Sequence, residues 1–129
     1  MPARMISQQL KGKAVLIVED AMVVAMDAAD ILSNAGAACV DLAGHLDQAM
    51  VMARDGTYVL CILDVDLHGH RSVPVAIELA QKGVSLVVMT GYEYFDLSEA
   101  GYPPATLLSK PFDETTLLGA ISAALGATT

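Results

Sequence analysis

Five short apolar runs alternate with longer segments of helical spacing, and this alternation is the feature that most constrains the fold. The runs cover residues 14–18, 37–43, 58–63, 84–89 and 105–108. Several are almost continuous in Val, Ile and Leu, as strands covered on both faces usually are. The alternation predicts an α/β fold: a doubly wound, five-stranded parallel sheet with right-handed crossovers and helices on both faces.

The segments between the runs predict four helices and one irregular connection. Helical spacing indicates helices over 21–35, 45–54, 73–82 and 115–125. Gly36 is expected to end the first helix as its C′ residue, and Asp113 to cap the last. Gly and Pro punctuate residues 91–104, so at most a short helix fits there. Residues 1–12 are expected to be an N-terminal extension, frayed over 1–9, before one domain over 13–129.

Composition narrows the class of protein. The chain has 129 residues, of which 54% are hydrophobic, and this suits one domain with one core. Its net charge of -8 leaves no basic patch, so neither nucleic acid nor an anionic membrane is an expected partner. No apolar run has the length of a membrane span or signal peptide, and a cytoplasmic location is expected. Cys39 and Cys61 lie in apolar runs and are expected to be reduced.

Polar residues follow four of the apolar runs. Glu19-Asp20 follow the first run, Asp64 the third, Thr90 the fourth and Lys110 the fifth. The carboxyl ends of parallel strands share one edge of the sheet, where ligands bind. Carboxylates suit Mg²⁺, and Mg²⁺ together with a lysine offsets the charge of a transferring phosphoryl group. The edge therefore predicts a site for a divalent cation and a phosphoryl group.

Each of these residues also has a simpler explanation. Glu19-Asp20 could cap the following helix, since acidic residues are favoured at helix N-termini. Thr90 could be a turn residue, and Lys110 an ordinary surface lysine. Their joint occurrence at strand ends favours the common site.

The strand ends together carry Glu19-Asp20, Asp64, Thr90 and Lys110-Pro111. In order, spacing and strand context, this set resembles the signature of response-regulator receiver domains over roughly residues 13–125. The resemblance implies a flavodoxin-like fold with strand order 2-1-3-4-5. It also implies that Asp64 accepts a phosphoryl group from a histidine kinase or a histidine phosphotransfer protein.

The resemblance implies a role for each site residue. The ligands of Mg²⁺ would be the side chains of Glu19, Asp20 and Asp64 and the backbone carbonyl of Asp66. Thr90 would hydrogen-bond the phosphoryl group, and Lys110 would pair with it. A cis peptide before Pro111 is also favoured by the resemblance.

Three features depart from the usual receiver pattern: the side chain at position 107, the partly matching segment 88–92 and the added carboxylate of Asp66. Leu107 stands three residues before Lys110, where receivers usually carry an aromatic switch residue. Residues 88–92 are similar to the Phe-Ala-Thr-Gly-Tyr motif of an atypical receiver subgroup, named FAT GUY after that motif, and the irregular fourth connection fits the same subgroup. Tyr92 is therefore expected to replace the missing switch.

The loop after Asp64 adds further polar groups. Asp66 is a fourth carboxylate near the acceptor and is expected to modulate the lifetime of the phosphoryl group. His68-Gly69-His70 could belong to a transition-metal site, since imidazoles are good ligands. No third ligand is visible in the sequence, so exposed loop histidines are the favoured interpretation.

Three functions compete. The first is a stand-alone phospho-receiver, not an enzyme beyond its own phosphorylation and dephosphorylation. The chain ends soon after its last helix, so output is expected through an unidentified downstream protein, with a homodimer left open.

The second function is a phosphatase, because Asp64-Val65-Asp66 resembles the Asp-x-Asp motif of haloacid dehalogenases. That motif normally lies on the first strand, and no cap domain fits here. The third is a pseudo-receiver that only docks proteins, which the intact acidic set argues against.

Overall fold

The computed structural model describes residues 3–126, so the first two residues of the predicted extension and the last three of the predicted domain lie outside it. The elements in chain order are α1 Ala3–Leu10, β1 Ala14–Val18, α2 Met22–Asn34, β2 Cys39–Ala43, α3 Leu46–Asp55, β3 Leu60–Asp64, β4 Asp66–Leu67, β5 His70–Arg71, α4 Val73–Gln81, β6 Ser85–Thr90, β7 Thr106–Ser109 and α5 Glu114–Gly126.

Five parallel strands form the main sheet in the order β2-β1-β3-β6-β7, which confirms the predicted order 2-1-3-4-5. The inner strands β3 and β6 are buried at every position, as expected for strands with helices on both faces. Helices α1, α2 and α5 pack on one face, and α3 and α4 pack on the other. None of the helices between residues 3 and 126 is both long and apolar enough to cross a membrane.

The four predicted helices are confirmed, each to within one residue at either end. Gly36 follows α2 with φ 114°, a left-handed conformation that glycine adopts without steric cost. Asp113 caps α5, because its Oδ1 accepts the Thr116 backbone N–H at 2.8 Å. Cys39 and Cys61 are free thiols, on strands that flank β1.

The expectation of a frayed segment at the start of the chain is wrong for residues 3–9. These residues form most of α1, in which Ile6 and Leu10 are 2% and 0% exposed. Residues four apart lie on the same helix face, and here both enter the core formed with α2 and α5. Burial of this face is what fixes a helix too short to be stable by itself.

Residues 91–105 contain no helix, which agrees with the irregular connection expected there. Turn hydrogen bonds shape the segment, including one of 3.0 Å from Tyr102 N–H to the Leu97 carbonyl. The Tyr102 ring is buried, and its hydroxyl lies 2.8 Å from Ser72 Oγ. This contact attaches the segment to the loop before α4, close to the edge where β3 ends.

A short antiparallel hairpin, β4–β5, follows β3 and was not predicted. Its two-residue turn consists of His68 and Gly69, both with positive φ, at 49° and 85°. Such turns match the twist of paired strands. The hairpin makes Asp66 and Arg71 cross-strand neighbours beside the end of β3.

Candidate functional site

Three carboxylates meet at the carboxyl edge of the sheet. Glu19 follows β1 directly and is buried, Asp20 is half-buried, and the buried Asp64 is the last residue of β3. One oxygen from each lies within 4.8 Å of the others. Among the His, Cys, Asp and Glu side chains of residues 3–126, this is the one group of three or more with such spacing.

Lys110 lies against the same group. Its ammonium donates hydrogen bonds of 2.8 Å to Glu19 Oε1 and 3.0 Å to Asp64 Oδ2. The Lys110 backbone N–H donates to the Thr90 carbonyl at 2.8 Å, and the peptide bond to Pro111 is cis. Pairing between β6 and β7 thus sets the lysine opposite the end of β3.

Burial and hydrogen bonds at this edge shift the pKa values of Glu19 and Lys110. Burial raises the pKa of Glu19 above its usual value, and the hydrogen bond from Lys110 opposes this. Burial lowers the pKa of Lys110, but its hydrogen bonds to Glu19 and Asp64 outweigh that effect and raise the pKa. Lys110 is therefore positively charged at neutral pH, which is the state that an anionic ligand requires of its partner.

Asp20 is held by the hairpin. Burial raises the pKa of Asp20, but the hydrogen bond from the His68 backbone N–H, 3.0 Å long, contributes to an overall lowering. Asp20 is therefore ionised at neutral pH. An ionised carboxylate at the exposed side of the group suits a cation that arrives from solvent.

Thr90 and Tyr92 lie at the end of β6 and just beyond it. Thr90 is buried, and its Oγ1 accepts the Tyr92 backbone N–H at 3.0 Å. The Tyr92 hydroxyl donates to Asp66 Oδ2 at 2.7 Å. The Asp66 backbone N–H faces Asp64 Oδ1 at 3.4 Å, whereas the Asp66 carboxylate lies outside the group of three. The sequence predicted Asp66 near the site, but it did not predict that the Asp66 carboxylate points to Tyr92.

The three histidines lie on the surface, and His68 adjoins the group of three carboxylates, since its Nδ1 lies 3.7 Å from Asp20 Oδ2. His45, His68 and His70 are exposed and line a cavity of about 380 Å³, with the rings of His45 and His68 stacked at 5.0 Å. Their ligand atoms do not form a group with metal spacing within residues 3–126. This arrangement agrees with the expected exposed loop histidines.

Arg71 is a site neighbour that sequence reasoning missed. Its Nε lies 3.6 Å from Asp66 Oδ1, and its guanidinium carbon lies 5.4 Å from the ring centres of both Tyr92 and Phe95. The signal that points to it is Gly69, because glycine favours two-residue hairpin turns, and a turn over residues 68 and 69 places residues 66 and 71 opposite each other.

No protein-family model matches the chain. A curated relative is the transcriptional regulatory protein PdtaR of Mycobacterium tuberculosis, 32% identical over 116 residues that cover 88% of this chain and 57% of PdtaR. The chain thus spans little more than half of that relative's length.

Solved structures resemble the chain over most of its length. The receiver domain of the hybrid histidine kinase CckA is 28% identical, with a TM-score of 0.69 over 87% of this chain and 98% of that one. A response-regulator receiver protein from Sinorhizobium medicae shares the fold, with 21% identity and a TM-score of 0.80 over 91% and 97% of the two chains. The strand order, the acidic edge and these similarities all agree. The chain therefore belongs to the response-regulator receiver domains of two-component signalling.

Proposed function

We propose that Asp64 accepts a phosphoryl group, in a Mg²⁺-dependent transfer from the phosphohistidine of a histidine kinase or phosphotransfer protein. The observation that supports this most is the placement of the Asp64 carboxylate. One of its oxygens lies within 4.8 Å of carboxylate oxygens of Glu19 and Asp20, and Oδ2 accepts a hydrogen bond from Lys110.

The residues present fit a magnesium ion. The donor atoms of Glu19, Asp20 and Asp64 are all oxygens, which Mg²⁺ prefers, and no thiol or imidazole belongs to the group. The backbone carbonyl of Asp66 is the proposed fourth ligand from the protein. Bound Mg²⁺ would offset the negative charge of the phosphoryl group during transfer.

The side chains around Asp64 have complementary tasks. An Asp64 carboxylate oxygen attacks phosphorus while the bond from phosphorus to the donor's imidazole nitrogen breaks, and the donor leaves with the electron pair of that bond. Lys110 stabilises the charge of the transferring group. Thr90 Oγ1 accepts a hydrogen bond from Tyr92, so its own hydroxyl proton is available for a phosphoryl oxygen.

The donor protein must bring its phosphohistidine to this edge, so its docking surface is expected beside Asp64. The first turns of α2 expose Met22, Val23 and Met26, and Val23 is 83% exposed. Val23 lines a cavity of about 390 Å³ together with Lys110 and Phe112. We propose that an apolar helix face of the donor packs on this surface, since it adjoins the lysine of the site.

Output is proposed to pass through a downstream protein, with Tyr92 as the reporter of phosphorylation in the manner of the FAT GUY subgroup. The chain is proposed to catalyse no reaction beyond its own phosphorylation and dephosphorylation. Within the described residues, nothing favours a phosphatase of the Asp-x-Asp type. The second aspartate of that motif would have to reach the substrate, whereas the Asp66 carboxylate contacts Tyr92 and Arg71.

Intact-mass spectrometry tests the acceptor. Incubation with acetyl phosphate and Mg²⁺ is expected to add one phosphoryl group, which Asp64→Asn should lose. Asp55→Asn is the matched control, because Asp55 is exposed at the end of α3 and contacts only Arg54 among the ion pairs of residues 3–126. Equal labelling of Asp64→Asn and the unmodified chain would contradict the assignment.

A further inference from the structure

Both oxygens of the Asp66 carboxylate have partners. Neither partner belongs to the cation group, which consists of the carboxylates of Glu19, Asp20 and Asp64. Oδ2 accepts the Tyr92 hydroxyl at 2.7 Å, and Oδ1 lies 3.6 Å from Arg71 Nε. The Asp66 backbone is already at the site, since its N–H faces Asp64 Oδ1 at 3.4 Å. Rotation of the side chain alone would therefore bring a fourth carboxylate towards the cation group.

Arg71 is held in place by contacts other than its ion pair with Asp66. It is the cross-strand neighbour of Asp66 in the hairpin, and its guanidinium lies 5.4 Å from the ring centres of Tyr92 and Phe95. Those two rings are stacked on each other at 5.8 Å. A planar guanidinium suits such ring faces and can hold a carboxylate at the same time.

The ring pair is itself anchored. Phe95 meets the edge of the buried Tyr102 ring at 6.1 Å, and the Tyr102 hydroxyl lies 2.8 Å from Ser72 Oγ. Ser72 directly follows Arg71 in the chain, so the anchor and the arginine belong to the same short stretch of backbone. The contacts of Arg71 therefore join the hairpin to residues 91–104 at the rim of the site.

We propose that Arg71 is a positioning residue, which holds the Asp66 carboxylate against Tyr92 and away from the three cation-binding carboxylates. This inference rests on the proposed cation site and acceptor. Arg71 thereby limits the cation group to three carboxylates and keeps Tyr92 in its contact with Asp66. Without Arg71, Asp66 would lose one of its two partners, and its charge would favour an orientation towards a cation held by the three carboxylates.

The consequence is a change in Mg²⁺ affinity that depends on Asp66. In Arg71→Ala, we expect the Kd for Mg²⁺ to fall by roughly twofold to fivefold, the scale of one exposed charge–charge interaction. The same substitution in an Asp66→Asn background should leave the Kd unchanged, because no carboxylate is left to be released. A residue that acts only through its own charge would give equal effects in both backgrounds.

Titration calorimetry measures the Kd for Mg²⁺ of four proteins: the unmodified chain, Arg71→Ala, Asp66→Asn and the variant with both substitutions. Arg54→Ala is the matched control. Arg54 is exposed and pairs with Asp55, so its removal changes the net charge equally at a distance from the hairpin. A fall in Kd in Arg71→Ala that disappears with Asp66→Asn and is absent in Arg54→Ala supports the proposal. An equal fall in both backgrounds, an equal fall in Arg54→Ala, or no fall at all would overturn it.

A second measurement needs neither cation nor phosphoryl group. In Arg71→Ala without Mg²⁺, the NMR ring signals of Tyr92 and Phe95 should shift, and those of the exposed Tyr94 should stay in place. Unchanged Tyr92 signals would contradict the positioning role. If the unmodified chain takes up no phosphoryl group, the proposed function fails while the ring signals still decide the role of Arg71.

Discussion

Tyr92 and Asp66 are joined by a hydrogen bond of 2.7 Å from the tyrosine hydroxyl to Oδ2 of the aspartate. This bond connects the loop after Asp64, the proposed phospho-acceptor, to the loop after Thr90. The hydrogen bond to Asp66 raises the pKa of Tyr92 above its usual value, so the phenol remains protonated and able to donate. Tyr92 also donates its backbone N–H to Thr90, and it therefore contacts two residues that flank Asp64.

Tyr92 is expected to move when Asp64 is phosphorylated. Thr90 must turn its hydroxyl to the phosphoryl group, and any shift of Thr90 acts on Tyr92 through their shared hydrogen bond. Leu107, at the usual switch position, is an exposed aliphatic side chain without a polar tip. NMR with beryllofluoride should show displaced Tyr92 ring signals and unchanged signals for Tyr94, which is 93% exposed. A Tyr92 ring that stays in place would leave the chain without an assigned switch.

Asp66→Asn is expected to change the rate at which phosphorylated Asp64 loses its phosphoryl group. The carboxylate stands two residues from the acceptor, where it can repel a developing hydroxide or orient the attacking water. These effects oppose each other, so the prediction concerns the size of the change rather than its sign. Mass spectrometry over time measures the rate, with Asp55→Asn as the control. Identical rates in the three proteins would contradict this prediction.

Mg²⁺ is expected to stabilise the fold. Glu19, Asp20 and Asp64 repel one another, and a cation between them relieves that repulsion. At a free concentration near 100 times the Kd, binding linkage gives about 2.7 kcal/mol. The thermal midpoint should rise with Mg²⁺, and it should rise less in Asp20→Ala. A midpoint that responds to Mg²⁺ no more than to sodium at matched ionic strength would count against the site.

The sequence predicted most of this fold because its strongest signals are local. Continuous apolar strands, helical spacing and terminal glycines predicted four of the five helices of residues 3–126 to within one residue, and polar residues at strand ends indicated the carboxylates and Lys110. The contacts of Asp66 with Arg71 and Tyr92 could not be predicted in this way. They depend on a hairpin of two-residue strands and on a loop held by Tyr102, and neither has a periodic pattern.

Helix α1 shows the same limit at the start of the chain, and it provides a test of stability. Residues 3–10 are too short a segment to predict a stable helix by themselves, yet Leu10 is fully buried in the core shared with α2 and α5. Leu10→Ala is therefore expected to lower the free energy of unfolding by about 2–5 kcal/mol, the usual cost of a cavity at a buried leucine. Met22→Ala, at a position 60% exposed, should change it little. Urea denaturation measures both, and equal unfolding free energies for the two variants would mean that α1 does not pack on the domain.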